Sequence, residues 1–277
     1  MNKLEQKLFW DNGNIYYVGE IVNNMKDGYG RKYNSSGKLE YEGLFKNNVY
    51  CGKGKLFYPD NTLLFEGEFS NDCLKNGVYY WKDGKYYIGE MKNDSIHGNG
   101  VLYNKDNTVE YDGLFQNGMK YGFGKLYHPN KNIKYIGYFI NNCKTGEGIE
   151  CNEDGTMFKK GTFINDEFIK GIKYTGLTSY YIGDFRTDLY HGYGRLYNYS
   201  NVIHYEGGFV NGVKQGFGKL YHGNGVMSYS GEFVNNFKNG YGTEYNSDGN
   251  IVYSGKFLND TFLNDNYSIT RNNVITP

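Results

Sequence analysis

Alanine is absent from this chain, and proline occurs only 3 times in 277 residues. Alanine is the strongest helix former and glycine, of which there are 40, costs roughly 1 kcal/mol at each interior helical position, so long helical bundles are excluded. Cysteine is also scarce: Cys51, Cys73, Cys143 and Cys151 are irregularly spaced and form no CxxC, which leaves neither a disulfide framework nor a zinc framework to expect. An excess of one charge is missing too. Lys plus Arg and Asp plus Glu stand at 30 each, with no basic block to follow a phosphate backbone, so nucleic acid is not expected as a partner. No stretch approaches the roughly 20 apolar residues of a membrane span. The first residues carry no apolar run of the signal-peptide kind, and the expectation is a cytoplasmic chain.

What the chain has is glycine and rings: 31 Tyr and 18 Phe, residues that favour pleated, half-buried surfaces. They recur in register. A motif of the form aromatic-x-Gly-x-apolar places its glycine at Gly19, Gly43, Gly67, Gly89, Gly113, Gly137, Gly161, Gly183, Gly207, Gly231 and Gly255. The steps between them are 24 residues, except for steps of 22 into Gly89 and Gly183. Two residues before each glycine stands a Tyr or Phe, with Lys159 as the one break, and two residues after it stands a Phe, apart from Ile21 and Met91. Eight units add Gly-x-Gly nine residues on, as in Gly28/Gly30 and Gly216/Gly218, usually with another aromatic three residues later. The units at Gly67, Gly161 and Gly255 lack Gly-x-Gly and lie 94 residues apart, which points to duplication of a four-unit block.

The sequence YxGxF, then GxGxxY, then a turn resembles the MORN repeat (membrane occupation and recognition nexus), from Tyr17 to about Leu263. Both the resemblance and the residues lead to one fold class: all-β, an elongated single-layer twisted ribbon of about eleven consecutive antiparallel β-hairpins. In a strand Tyr41, Gly43 and Phe45 share a face, and a neighbouring ring can lie across the bare glycine. Pairs such as Asn12-Gly13, Asp83-Gly84, Asn117-Gly118 and Asn211-Gly212 supply the positive φ of tight turns. At about 9.6 Å per hairpin, eleven hairpins would span on the order of 100 Å. Residues 1–16 are expected to cap the first strand, 17–263 to form the repeats, and 264–277 to form a cap or tail at the other end. Whether residues 3–10 form a short helix is left open by the sequence.

Chemistry is hard to place on such a chain. His97 and His191, and likewise His128 and His222, are repeats of one another 94 residues apart, too distant in a ribbon to share a metal. Gly124-Lys125 and Gly218-Lys219 are followed by Leu rather than Ser or Thr, so the P-loop pattern is not met. No Gly-x-Ser-x-Gly elbow occurs. The expectation is therefore no enzyme, no cofactor and no metal site, but a scaffold for an unidentified protein partner or for self-association. The alternative, implied by the resemblance, is a peripheral membrane protein that binds acidic phospholipids; the chain offers no Lys/Arg cluster for that role. The aromatic columns are the candidate interaction surface: Tyr41, Phe45, Tyr87, Tyr111, Phe115, Tyr135, Phe139, Tyr181, Phe185, Tyr205, Phe209, Tyr229 and Phe233. The favoured expectation for these rings is nevertheless structural: they mainly hold the ribbon together, since a single-layer sheet has no other core.

Overall fold

The computed structural model describes residues 5–176 and 178–263. Among them there are strands and turns and no helix. The chain divides into two compact units, Met1–Cys143 with Glu153–Gly155, and Lys144–Asn152 with Thr156–Pro277.

The first unit contains β1 (Glu5–Phe9), β2 (Ile15–Val22), β3 (Met25–Tyr33), β4 (Leu39–Lys46), β5 (Val49–Phe57), β6 (Leu63–Ser70), β7 (Cys73–Tyr80), β8 (Tyr86–Lys92), β9 (Ser95–Tyr103), β10 (Val109–Gln116), β11 (Met119–Tyr127) and β12 (Ile133–Ile140). Each pairs antiparallel with the next in sequence, so the unit is a meander of hairpins. Residues 5–9 are thus a strand paired to β2 rather than a helix. The second unit repeats the scheme through β13 (Cys143–Cys151), β14 (Met157–Ile164), β15 (Glu167–Tyr174), β16 (Tyr180–Arg186), β17 (Leu189–Tyr197), β18 (Ile203–Val210), β19 (Val213–Tyr221), β20 (Met227–Val234), β21 (Phe237–Tyr245), β22 (Ile251–Leu258) and β23 (Thr261–Phe262). The expected tail 264–277 lies outside the described residues.

Two-residue turns close one side of every hairpin. Asn23-Asn24, Asn47-Asn48, Asn71-Asp72 and Asn93-Asp94 all have positive φ at both positions, the left-handed pair that matches the twist of the flanking strands. Asn and Asp tolerate that region because their short polar side chains bond locally. The second turn residue also ties successive hairpins together: the Asn48 amide donates to the Lys26 carbonyl at 3.0 Å, and the Lys26 amide donates to Asn48 Oδ1 at 2.9 Å.

The register explains the two spacings. In a regular hairpin such as β4–β5 the pairing slips by two residues between Gly43↔Gly54 and Leu44↔Cys51, with Gly52 at positive φ in the bulge. A second slip, of one residue, precedes the motif tyrosine, between Lys32↔Tyr41 and Tyr33↔Leu39. In the variant at Gly67 the first slip shrinks to one residue, and β7–β8 pair with no slip at all. Two bulge residues fewer give the 22-residue step. The variant at Gly161 does the same.

Candidate interaction faces

Alternation along each strand sends the motif Tyr, Gly and Phe to one face, and there the structure packs them. All thirteen residues expected to present a binding surface are buried: Tyr41, Tyr87, Tyr111, Tyr135, Tyr181, Tyr205 and Tyr229, and with them Phe45, Phe115, Phe139, Phe185, Phe209 and Phe233. They form the interior, not an open face. The reason is local. The Tyr41 ring folds back over Gly43 and over Gly54 of the paired strand, where a Cβ would meet its hydroxyl at 2.5 and 2.4 Å. Its hydroxyl donates to the Leu44 carbonyl at 2.9 Å, and Tyr111 and Tyr205 make the same bond three residues on, at 3.0 Å. Tyr41 also meets two phenylalanines edge to face, Phe45 and Phe69, both at 5.1 Å, as Tyr111, Tyr205 and Tyr229 each meet two, whereas Tyr87, beside Met91, meets Phe115. Edge-to-face pairs add about 1 kcal/mol beyond burial. Loss of water pushes the Tyr111 hydroxyl up to about 12, from an ordinary value near 10.

A further row, which sequence reasoning missed, covers these rings. It stands seven residues after each motif glycine: Lys26, Tyr50, Leu74, Ile96 and Lys120 in the first unit, and Lys144, Phe168, Tyr190, Lys214, Lys238 and Phe262 in the second. Tyr50 stacks on Tyr41 at 3.8 Å and Tyr190 on Tyr181 at 4.0 Å. Lysines lie over rings instead, Lys26 over Tyr16 at 4.4 Å and Lys238 over Tyr229 at 5.0 Å. A buried ammonium needs a partner. Lys26 donates to the Tyr16 hydroxyl at 2.6 Å, Lys144 pairs with Glu150 at 2.7 Å and Lys238 with Glu244 at 2.6 Å. The constant offset of seven residues was the available signal.

The opposite face is open. Its exposed rings include the middle residues of Gly-x-Gly: Tyr29 and Phe123 in the first unit, and Tyr193, Phe217 and Tyr241 in the second, which are 55, 62 and 69% exposed. Ion pairs lie among them. Glu206 accepts from the Tyr193 hydroxyl at 2.5 Å and from Arg195 at 3.0 Å, and Glu42 accepts from Tyr29 and Arg31 in the same way. An open groove of about 450 Å³ beside Tyr29 is lined by Glu42, Lys53, Lys55, Glu66 and Glu68. The carboxylates that follow the motif glycine have a structural use here: Glu90 accepts the Asn99 amide at 3.0 Å beside the Gly98 bulge.

The Gly-x-Gly glycines have a conformational use. Gly98, Gly122 and Gly192 take positive φ in bulges, and the second glycine of each pair lies under a tyrosine ring. Among the described residues, no three His, Cys, Asp or Glu groups gather as metal ligands. The Nδ1 atoms of His97 and His191 are buried without a hydrogen-bond partner, and His222 Nε2 lies 2.9 Å from the Tyr245 carbonyl. No described helix is long and apolar enough to cross a membrane.

Repeated hairpins with a ring-and-glycine interior define an all-β tandem-repeat protein. The MORN repeat family model matches residues 17–38, 41–63, 87–109, 111–133, 181–200, 205–227 and 229–251, more than half of the chain, and the chain belongs to the MORN-repeat family. The stretches around Gly67, Gly161 and Gly255, where Gly-x-Gly is missing, are not matched. No curated protein matches the chain. Among solved structures it is similar to a virginiamycin B lyase from Staphylococcus aureus, at 13% identity over 90% of this chain and 73% of that one, with a TM-score of 0.16. A protein of unknown function from Bacteroides caccae is similar at 13% identity over 75% of this chain and 70% of that one, with a TM-score of 0.17. TM-scores this low carry no argument about fold or activity.

Proposed function

We propose that this repeat scaffold is non-enzymatic and binds a protein partner through its open face. The observation that carries the reading is the row Tyr193, Phe217 and Tyr241, at the same position of three successive repeats, all more than half exposed and flanked by Arg195 and Glu206. Tyr, Phe and Arg are the residues enriched at protein interfaces, where rings supply area and guanidinium groups supply directed bonds. Mixed, balanced charge favours a protein over an acidic lipid surface, which calls for clustered Lys and Arg. The buried columns support the reading from the other side, because rings already engaged with glycine and carbonyl groups have no surface left to offer.

The test is affinity capture with the full chain and with the Tyr193→Ser, Phe217→Ser, Tyr241→Ser triple variant, checked for folding by circular dichroism. A protein retained by the wild type and lost by the variant supports the proposal. Equal capture by both overturns it. Flotation with anionic vesicles that is lost in the same variant would assign the face to lipid, and concentration-dependent sedimentation would assign it to a second copy.

A further inference from the structure

In the row over the aromatic interior, the Lys214 ammonium has no acceptor among the described residues. Lys26, Lys120, Lys144 and Lys238 each reach a hydroxyl or a carboxylate. Lys214 has the same position and the same posture, its Nζ 5.0 Å above the Tyr205 ring and 5.9 Å from that of Phe233, yet it makes no ion pair or side-chain hydrogen bond among the described residues.

The duplication inside the chain shows what is missing. Lys120 stands 94 residues before Lys214, and its acceptor Glu110, at 3.4 Å, stands 94 residues before His204. An imidazole stands where the first copy has a carboxylate, while the lysine is the same in both. The other route to an acceptor is closed as well: Glu244, which serves Lys238, stands 24 residues after Leu220, the residue in that position beside Lys214. Burial pushes both remaining groups below their ordinary values, and Lys214 lowers His204 further. Asp260 acts on Lys214 only through its field, and its Oδ1 is held by the Lys238 amide at 2.7 Å.

We propose that Lys214 and His204 form a binding site for one carboxylate supplied from outside the fold, the side chain of an Asp or Glu on a bound protein segment. Glu110 shows the arrangement such a group would take: an oxygen within reach of the ammonium, over the rim of the aromatic interior. A bond from an ammonium to a carboxylate is roughly twice as strong as a neutral one. The imidazole, at the position where Glu110 stands in the first unit, supplies a second donor once it takes up a proton. That a protein carries the carboxylate rests on the scaffold reading. The site itself does not, and it lies on the face opposite Tyr193, Phe217 and Tyr241.

The experiment is NMR of the full chain, with labelled lysine side chains and histidine rings, titrated at equal ionic strength with sodium acetate, sodium phosphate or sodium chloride. Acetate is expected to move the Lys214 and His204 signals along one saturating curve and to leave Lys120, already paired, in place. In His204→Glu the Lys214 signal should start displaced, and acetate should no longer move it. Identical responses to acetate and chloride would overturn the proposal, as would a response that survives in His204→Glu. Saturation by phosphate without saturation by acetate would overturn the carboxylate assignment. Because small ions probe the site alone, its failure is distinguishable from failure of the partner capture described above.

Discussion

Two hairpin pairs, β6–β8 in the first unit and β14–β16 in the second, are copies of one variant repeat 94 residues apart, and they are filled differently. In the first, the Phe65 ring covers the Gly67–Gly77 pair, with its Cζ 2.7 Å from where either Cβ would be. In the second, Lys159 replaces the ring, and the atoms nearest Gly161 and Gly171 are all main chain. Charge occupies the place of the aromatic column: Lys159 pairs with Asp188 at 2.9 Å, Lys173 with Asp188 at 2.7 Å and Lys144 with Glu150 at 2.7 Å. The backbone scheme is the same, glycine facing glycine with a shortened bulge. The glycine rail therefore sets the register, and the ring is one of two ways to fill the space above it.

The comparison breaks most readily where a ring is removed. Tyr111→Ala should cost about 3–5 kcal/mol, as large-to-small changes in a packed interior do, whereas Lys159→Ala should cost less because Asp188 keeps Lys173 and Glu150 keeps Lys144. Hydrogen exchange resolved by hairpin would show the difference, since repeat units open locally. Next come the rails. Gly77→Ala and Gly171→Ala should each cost about 3 kcal/mol, the upper part of the overpacking range, because the new Cβ lies 2.4 and 2.2 Å from a backbone carbonyl oxygen that cannot withdraw. Similar losses at both sites would confirm that the rail acts independently of its filling; a tolerated Gly171→Ala would show that the ring-free copy is slack.

Titration sharpens the contrast at opposite ends of the pH scale. The folded value of Tyr111 is raised to about 12, so its contribution is complete below its ordinary value near 10 and is lost as pH climbs through 12. For Asp188, burial alone would raise the carboxyl, but bonds from Lys159 and Lys173 outweigh it and hold it below its ordinary 3.8. Its contribution is present above that value and disappears as pH falls below it. Phenolate absorbance and hairpin-resolved exchange should show alkaline opening of the tyrosine-lined hairpins and acid opening around β14–β16. A smaller effect is expected from Lys159→Tyr, which restores a ring over Gly161 and Gly171 and should stabilise by about 1–2 kcal/mol in thermal unfolding. Smallest is Tyr193→Ser on the open face, within about 0.5 kcal/mol by the same measurement.

Much of this was legible in advance because glycine leaves a mark that aromatic composition alone does not. The 24-residue steps located every hairpin from Tyr17 to Leu263, and the missing Gly-x-Gly marked the variant repeats. The rows were harder to assign. Tyr41 and Phe45 look alike whether they face solvent or a roof, and the roof residues Lys26, Tyr50 and Ile96 share an offset but no chemistry. Turns such as Asn47-Asn48 were less visible than Asn117-Gly118, since positive φ at a non-glycine residue is a weaker expectation. The candidate site moved to the other face for the same reason: alternation tells which residues share a face and leaves open which face is covered.

By itself the sequence determined the unit, its period and its all-β character, because a glycine between two rings has a physical meaning wherever the chain is extended. Only the tertiary structure decided which face became the interior. A tyrosine can turn back over its own glycine pair only when the paired strand brings the second glycine to within van der Waals contact, and a lysine seven residues on becomes a roof only when the hairpin carries it over that ring.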